Sequence, residues 1–167
     1  MAGPNREDLR MSEFTTKAQR VQGVPGVEPL ARAGRMLVGG QPDAAAIKRL
    51  AEQEGVGMLI NLRQPQEMEK LGFNEATACE SCGVTYVNVP VAMPFSKAEV
   101  EQFAKAVEST EANVLVHCAT SNRVGAIWAA YLATHKDVPV DEAIEIGRSA
   151  GMTKRPLEML VRQIAAP

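Results

Sequence analysis

Cys118 closes the apolar run Val114-Leu-Val-His117 and stands five residues before Arg123, with Ala119, Thr120, Ser121 and Asn122 between them. A thiolate is a strong nucleophile. A guanidinium offers a planar fork that binds two oxygens of a phosphate or similar oxyanion at once. Together they suit attack on an electrophile that carries negatively charged oxygen. The periodicity changes across the pair. Val114 to Val116 is short and uncharged, as a strand buried on both faces of a parallel sheet would be. From Val124 onward, Ile127, Trp128, Tyr131 and Leu132 continue a single apolar helical stripe. Cys118 to Arg123 is therefore a strand-to-helix turn. Its unpaired backbone N–H groups and the positive end of the helix dipole suit an anion, and thiols at helix N-termini beside cations ionise readily.

The other chemistry-bearing residues group around this turn. Ala119, Thr120, Ser121 and Asn122 are expected to hold the substrate anion through main-chain N–H groups. His117 alternates to the opposite side of the strand from Cys118, which gives it a supporting rather than a proton-transferring place. Arg63 closes the apolar strand ending Ile60-Asn61-Leu62 and either binds substrate or pairs with Glu67 or Glu69. Glu99, a possible general acid, stands three residues after Ser96 ahead of an apolar helix, a capping-box arrangement that is the favoured reading. His135, late on its helix, reads as a surface or helix-end residue. Cys79 and Cys82 form a Cys-x-x-Cys with no second half of a zinc site; they are packing cysteines or, less simply, a redox pair or resolving thiol.

The positioning elements follow from alternation and turn signals. Arg35 to Val38 reads as a strand, Gln41-Pro42-Asp43 opens a helix through about Glu54, and Val56 to Leu62 is a second strand. Pro65 opens a helical stretch to Cys82, interrupted near Gly72. Val84 to Val89 is a third strand, Lys97 to Ser109 a helix, and Val114 to His117 a fourth strand. Helices near Val140 to Ser149 and Pro156 to Ala165 complete the chain. Apolar strands alternating with helices predict an α/β fold: one domain with a central, mostly parallel sheet of about four to five strands flanked by helices. Ligands in such sheets bind beyond the carboxyl ends of the strands. Cys118, Arg63 and the segment Pro90 to Ser96 should therefore rim one pocket.

Composition narrows the class. The chain of 167 residues is 46% hydrophobic and 23% charged, in the range of a globular domain. A net charge of −2 gives no sign of a nucleic-acid or membrane partner. No apolar run approaches the ~18 residues of a spanning helix, and the first thirty residues lack a secretory h-region. The expected location is cytoplasmic, or a mature form whose signal has been removed. Residues 1–30, with Gly23, Pro25, Gly26 and Pro29 close together, read as an irregular leader before a domain over 31–167. Met11 could serve as a second start.

His117-Cys118, a short loop and Arg123 at a strand-to-helix turn resemble the signature of the cysteine-dependent protein tyrosine and dual-specificity phosphatases. Gly39-Gly40-Gln41-Pro42, Ile60-Asn61-Leu62-Arg63, Val89-Pro90-Val91 and Arg123-Val-Gly-Ala-Ile-Trp128 extend the likeness to a small bacterial phosphatase-like group, over roughly Arg35 to Ile164. The resemblance implies a phosphatase-type fold and a cysteinyl-phosphate on Cys118. Arg123 and the loop amides would bind a phosphate ester or phosphoprotein, and His117 would support the thiolate. It implies no cofactor and no metal. Four features depart from the superfamily pattern. The loop has four residues between Cys and Arg where the pattern has five, and it contains no glycine. Val124 stands in place of Ser or Thr, and no aspartate lies between Asp43 and Asp137. The shorter loop also resembles that of rhodanese-type sulfurtransferases. Three functions stay open: a phosphatase, a persulfide-carrying sulfurtransferase, and a catalytically weak phosphate-binding module.

Overall fold

Alternation within the strands sorts the core onto two sides of a sheet. Met36, Val38, Met58, Ile60, Val114 and Val116 face one cluster, while Leu37, Leu59 and Leu115 face another. The computed structural model describes Gly3 and residues 16–167. Its strands are β1 (Gln19–Arg20), β2 (Leu30–Ala33), β3 (Met36–Gly39), β4 (Val56–Asn61), β5 (Thr85–Asn88) and β6 (Asn113–His117). Its helices are α1 (Ala44–Glu54), α2 (Pro65–Met68), α3 (Glu75–Ser81), α4 (Lys97–Glu108), α5 (Asn122–His135), α6 (Val140–Ser149) and α7 (Arg155–Ala165). Among the described residues, no helix is long and apolar enough to cross a membrane.

The sheet runs β1-β2-β3-β6-β4-β5, so the strand that delivers Cys118 is central. β3, β6, β4 and β5 are parallel, and β1 and β2 join antiparallel at the edge. The expected mostly parallel α/β sheet is present, with six strands rather than four to five. The added strands were hidden for physical reasons. β2 turns into β3 through only Gly34 and Arg35, so Leu30-Ala-Arg-Ala-Gly-Arg-Met-Leu-Val38 lacks a recognisable turn cluster. β1 is two exposed residues with no alternation to read. Of the expected leader, residues 1–15 apart from Gly3 lie outside the described residues, and Gln19–Arg20 joins the sheet.

The helical stretch from Pro65 divides around Gly72 into α2 and α3, and Asn74 caps α3 by accepting from Thr77 N at 3.0 Å. α5 carries more than a stripe, because every residue from Val124 to Leu132 is buried. A helix apolar on all sides belongs in the middle of a core. α4, α6 and α7 pack around it on the Val116 side of the sheet, and α1 and α3 cover the Leu115 side. The parallel strands all end at one rim, at Gly39, Asn61, Asn88 and His117.

Candidate active site

β6 ends at His117 and α5 starts at Asn122, leaving a loop too short for any wide excursion. Cys118 is 1% exposed, and its backbone N–H donates to Gly39 O at 3.3 Å. Among the described residues, no hydrogen bond engages the backbone N–H of Ala119, Ser121, Asn122 or Arg123. The loop has no glycine, yet one residue must turn left-handed. Ser121 does so at φ 70, buried, with its Oγ unpartnered. A serine in that region carries backbone strain of order 1–3 kcal/mol that its surroundings must enforce. Those surroundings are tight. Gly40 forms a bridge to Thr120, and a side chain there would meet Glu28 O at 2.3 Å and Ala119 O at 3.0 Å. Asn122 Oδ1 accepts from Thr153 N at 2.8 Å, tying the loop to the entry of α7.

Arg123 in the first turn of α5 points into a cavity of about 460 Å³. Thr120, Asn122, Lys154 and the apolar side chains of Val91, Met93 and Leu157 line it too. Cys118, Ala119 and Ser121 do not contribute to its lining. The segment after β5 reaches the cavity as expected. Arg63 does not; its neighbour Gln64 does.

The guanidinium of Arg123 is met end-on by Glu67, Nη1 to Oε2 at 2.7 Å and Nη2 to Oε1 at 2.6 Å. Those bonds hold the Glu67 carboxyl at about 2, far below the usual carboxylate range. Arg123 in turn is held more firmly protonated, first by Glu67, against the opposing effect of burial, and then by the nearby Cys118 side chain. Glu67, one of the two alternative partners the sequence offered for Arg63, does face it at 3.6 Å, but its tighter grip is on Arg123, which the sequence did not suggest. Spacing gives no hint of a contact between residues 56 positions apart.

His117 is fully buried on the face opposite Cys118. Its Nδ1 lies 3.2 Å from Cys118 O, and its Nε2 lies 2.8 Å from Oε1 of the buried Glu75. Gln41 Nε2 also donates to Glu75 Oε1, at 2.8 Å, and Gln41 Oε1 accepts from Arg63 Nη1 at 2.8 Å. Neither Gln41 nor Glu75 stands out as chemistry in the sequence, since Asn74-Glu75 reads as an ordinary capped first turn. Glu99 forms the capping box, accepting from Ser96 N at 2.8 Å and Ser96 Oγ at 2.6 Å. Against the raising effect of burial, these bonds keep its carboxyl below the ordinary value. It does not line the cavity. Cys79 is wholly buried among the residues of the Leu115 side, with its thiol pushed up to about 12 by burial, then by Glu75 and Cys82. Cys79 and Cys118 lie in different core clusters on opposite sides of the sheet, so Cys79 is not placed to act as a resolving thiol for Cys118. His135 sits at the far end of α5 against Glu101 at 3.1 Å.

A family model described as "Beta-lactamase hydrolase-like protein, phosphatase-like domain" matches residues 33–134. A beta-lactamase hydrolase-like protein of Xylella fastidiosa is 29% identical over 120 residues, covering 70% of this chain but only 28% of that protein's length. Among solved structures, a candidate phosphatase of Neisseria meningitidis is 26% identical with a TM-score of 0.66, covering 77% of this chain and 92% of that one. A candidate phosphatase of Shewanella putrefaciens CN-32 is 24% identical with a TM-score of 0.65, covering 86% and 93%. PTPMT1, solved in complex with PI(5)P, is 20% identical with a TM-score of 0.65, covering 78% and 89%. The fold is that of these phosphatase structures.

Proposed function

Because the chain belongs to the family of beta-lactamase hydrolase-like, phosphatase-like domains, we propose that it hydrolyses phosphate monoesters of the aryl or phosphotyrosine type through Cys118. The carrying observation is Arg123. Its guanidinium faces the same cavity as Thr120 and Asn122, five residues from a cysteine at the end of the central strand. Glu67 takes the end of the fork, leaving the Nε edge of Arg123 and the unengaged loop N–H groups for the phosphate oxygens. Cys118 Sγ attacks phosphorus, the ester P–O bond breaks, and the leaving oxygen departs with the bonding electrons. Water then attacks phosphorus, the P–S bond breaks, and inorganic phosphate leaves with the thiolate restored.

The substrate class follows from how the carboxylates near the cavity are engaged among the described residues. Glu67 stays ionised far below neutral pH and Glu99 is engaged at the start of α4, so neither supplies a proton to the leaving oxygen. A missing general acid costs about 10²–10⁴ in rate, most for poor leaving groups. Aryl esters leave without protonation far better than alkyl esters, and Val91, Met93 and Leu157 give a ring an apolar wall. The test is turnover of p-nitrophenyl phosphate, phosphotyrosine peptide and phosphoserine peptide by the purified protein, with the rate expected to fall in that order. The short loop keeps one rival concrete. If no ester reacts while thiosulfate leaves a persulfide on Cys118, the protein is a sulfurtransferase instead.

A further inference from the structure

Gly39-Gly40-Gln41-Pro42 has no task in the reaction above, although it runs along the anion loop. Gly39 O accepts from Cys118 N, Gly40 bridges Thr120, and Gln41 then turns its amide away from the cavity into a row of polar groups. At one end of that row, Cys118 O faces His117 Nδ1 at 3.2 Å and His117 Nε2 faces Glu75 at 2.8 Å. At the other, Arg63 faces Glu67 at 3.6 Å and Glu67 holds Arg123. Gln41 joins the halves by donating to Glu75 and accepting from Arg63, both at 2.8 Å. The contacts thus run from the first residue of the loop to the last: those at Cys118 O, Gln41 and Arg123 are hydrogen bonds, whereas His117–Glu75 and Arg63–Glu67 are close approaches that leave His117 Nε2 and Arg63 Nε without a hydrogen bond.

The chemistry at the join is specific. A carboxylate can only accept and a guanidinium can only donate, so the residue between them must offer a donor and an acceptor in one side chain. An amide does this without adding charge. The same contacts set which way it points, with nitrogen to Glu75 and oxygen to Arg63. At the other end, a carbonyl can only accept, so His117 Nδ1 must carry a proton to bond Cys118 O. Glu75, 3% exposed, lies 2.8 Å from Nε2 and so helps to fix the orientation of the ring. Losing a hydrogen bond at the Gln41 join is costly, because the groups left behind are largely buried and cannot turn to water.

We propose that Gln41 and Glu75 are positioning residues that couple the cysteine end of the Cys118–Arg123 loop to its arginine end. Disturbing the amide weakens oxyanion binding at Arg123 and thiol reactivity at Cys118 together. The inference rests on the phosphatase reading, since it takes those two residues as the working ends. Its test does not need turnover. Iodoacetamide labelling of Cys118 is followed across pH, with and without inorganic phosphate as protectant.

Gln41→Leu should raise the phosphate concentration for half-protection by about tenfold, the scale of a hydrogen bond to a charged group. It should also move the pH of half-maximal labelling upward. Gln41→Glu alone sets two carboxylates face to face and should be at least as poor. Combining it with Glu75→Gln restores one donor and one acceptor at the join, and should bring protection back to within about threefold of the parent protein. That rescue distinguishes positioning from simple loss of packing, and it also serves if Gln41→Leu folds badly. Unchanged protection or an unchanged labelling curve in a folded Gln41→Leu overturns the coupling, as does an exchanged pair no better than Gln41→Glu. If phosphate fails to protect Cys118 even in the parent protein, the anion site is absent and the phosphatase reading falls with the inference.

Discussion

Cys118 and Cys79 are the same residue, almost equally buried at 1% and 0%, on opposite faces of one sheet. Cys118 directly follows the central strand, with an arginine at the start of the next helix and, among the described residues, unengaged loop N–H groups after it. Cys79 lies inside α3, one turn after Glu75, and burial with that carboxylate pushes its thiol up to about 12. Burial alone therefore does not separate a nucleophile from a packing residue. The sign of the neighbouring charge and the presence of backbone donors do.

The widest gap between the two should appear on replacement. Cys118→Ser should abolish aryl phosphate turnover, whereas Cys79→Ala should leave kcat/KM within about twofold and cost only stability. Any turnover surviving in Cys118→Ser would move the nucleophile elsewhere. Labelling of the native protein sharpens the same contrast, since iodoacetamide needs thiolate. Mass mapping should find Cys118 modified at neutral pH while Cys79 stays unmodified well into the alkaline range, consistent with its raised value. Equal labelling of both would end the comparison.

The charge beside Cys118 comes next in size. Arg123→Lys keeps a cation but loses the fork, and phosphate should bind about 1–3 kcal/mol more weakly by calorimetry. Unchanged affinity would place the anion away from the fork. Glu67 brings a pH dependence of defined sign. Its folded value, about 2 against an ordinary 4.5, is depressed, so its pairing stabilises fully above about pH 4.5 and is lost as pH falls through about 2. Thermal melts of the parent protein and Glu67→Gln should differ by on the order of 1–2 kcal/mol at pH 6, allowing for solvent screening, and converge near pH 2. A constant difference down to that pH would mean the carboxylate is not held this way.

Legibility of the chain follows the same division between local and distant signals. The parallel α/β sheet, the Cys118 turn and the Ser96 capping box were readable because each depends on residues a few positions apart. β2 escaped because two residues suffice for its turn into β3, and β1 because two exposed residues carry no period. Ser121 takes the left-handed conformation for which glycine is the common choice, in a loop whose sequence contains none. What enforces it is packing around the loop, including Gly40 beside Ala119 O, which is a fact of three-dimensional contact. Arg63 was expected in the cavity because its strand ends on that rim, but Gln41 and Glu67 draw its guanidinium aside. Glu67, Gln41 and Glu75 act across 22 to 56 positions of sequence, beyond any motif.

The smallest expected effect concerns Glu99, which bears on whether anything on the Cys118 side supplies a proton. Its Oε2 accepts from both the backbone N–H and the hydroxyl of Ser96, which fixes the first turn of α4 and keeps the carboxyl ionised. An ionised, engaged carboxylate outside the cavity lining has no proton to give a leaving group. Glu99→Gln should therefore leave aryl phosphate turnover unchanged and lower stability by up to about 1 kcal/mol, since the amide oxygen still accepts but without charge. Because the folded carboxyl is held below its ordinary value, that difference should be present at neutral pH and fade on acidification. The decisive measurement is phosphoserine peptide cleavage beside p-nitrophenyl phosphate in both proteins. If the parent protein cleaves phosphoserine as fast as the aryl ester and Glu99→Gln loses only the former, then Glu99 leaves its cap during the reaction and is the general acid. If both proteins show the same steep preference for the aryl ester, the carboxylate is a helix cap and the site works without an acid.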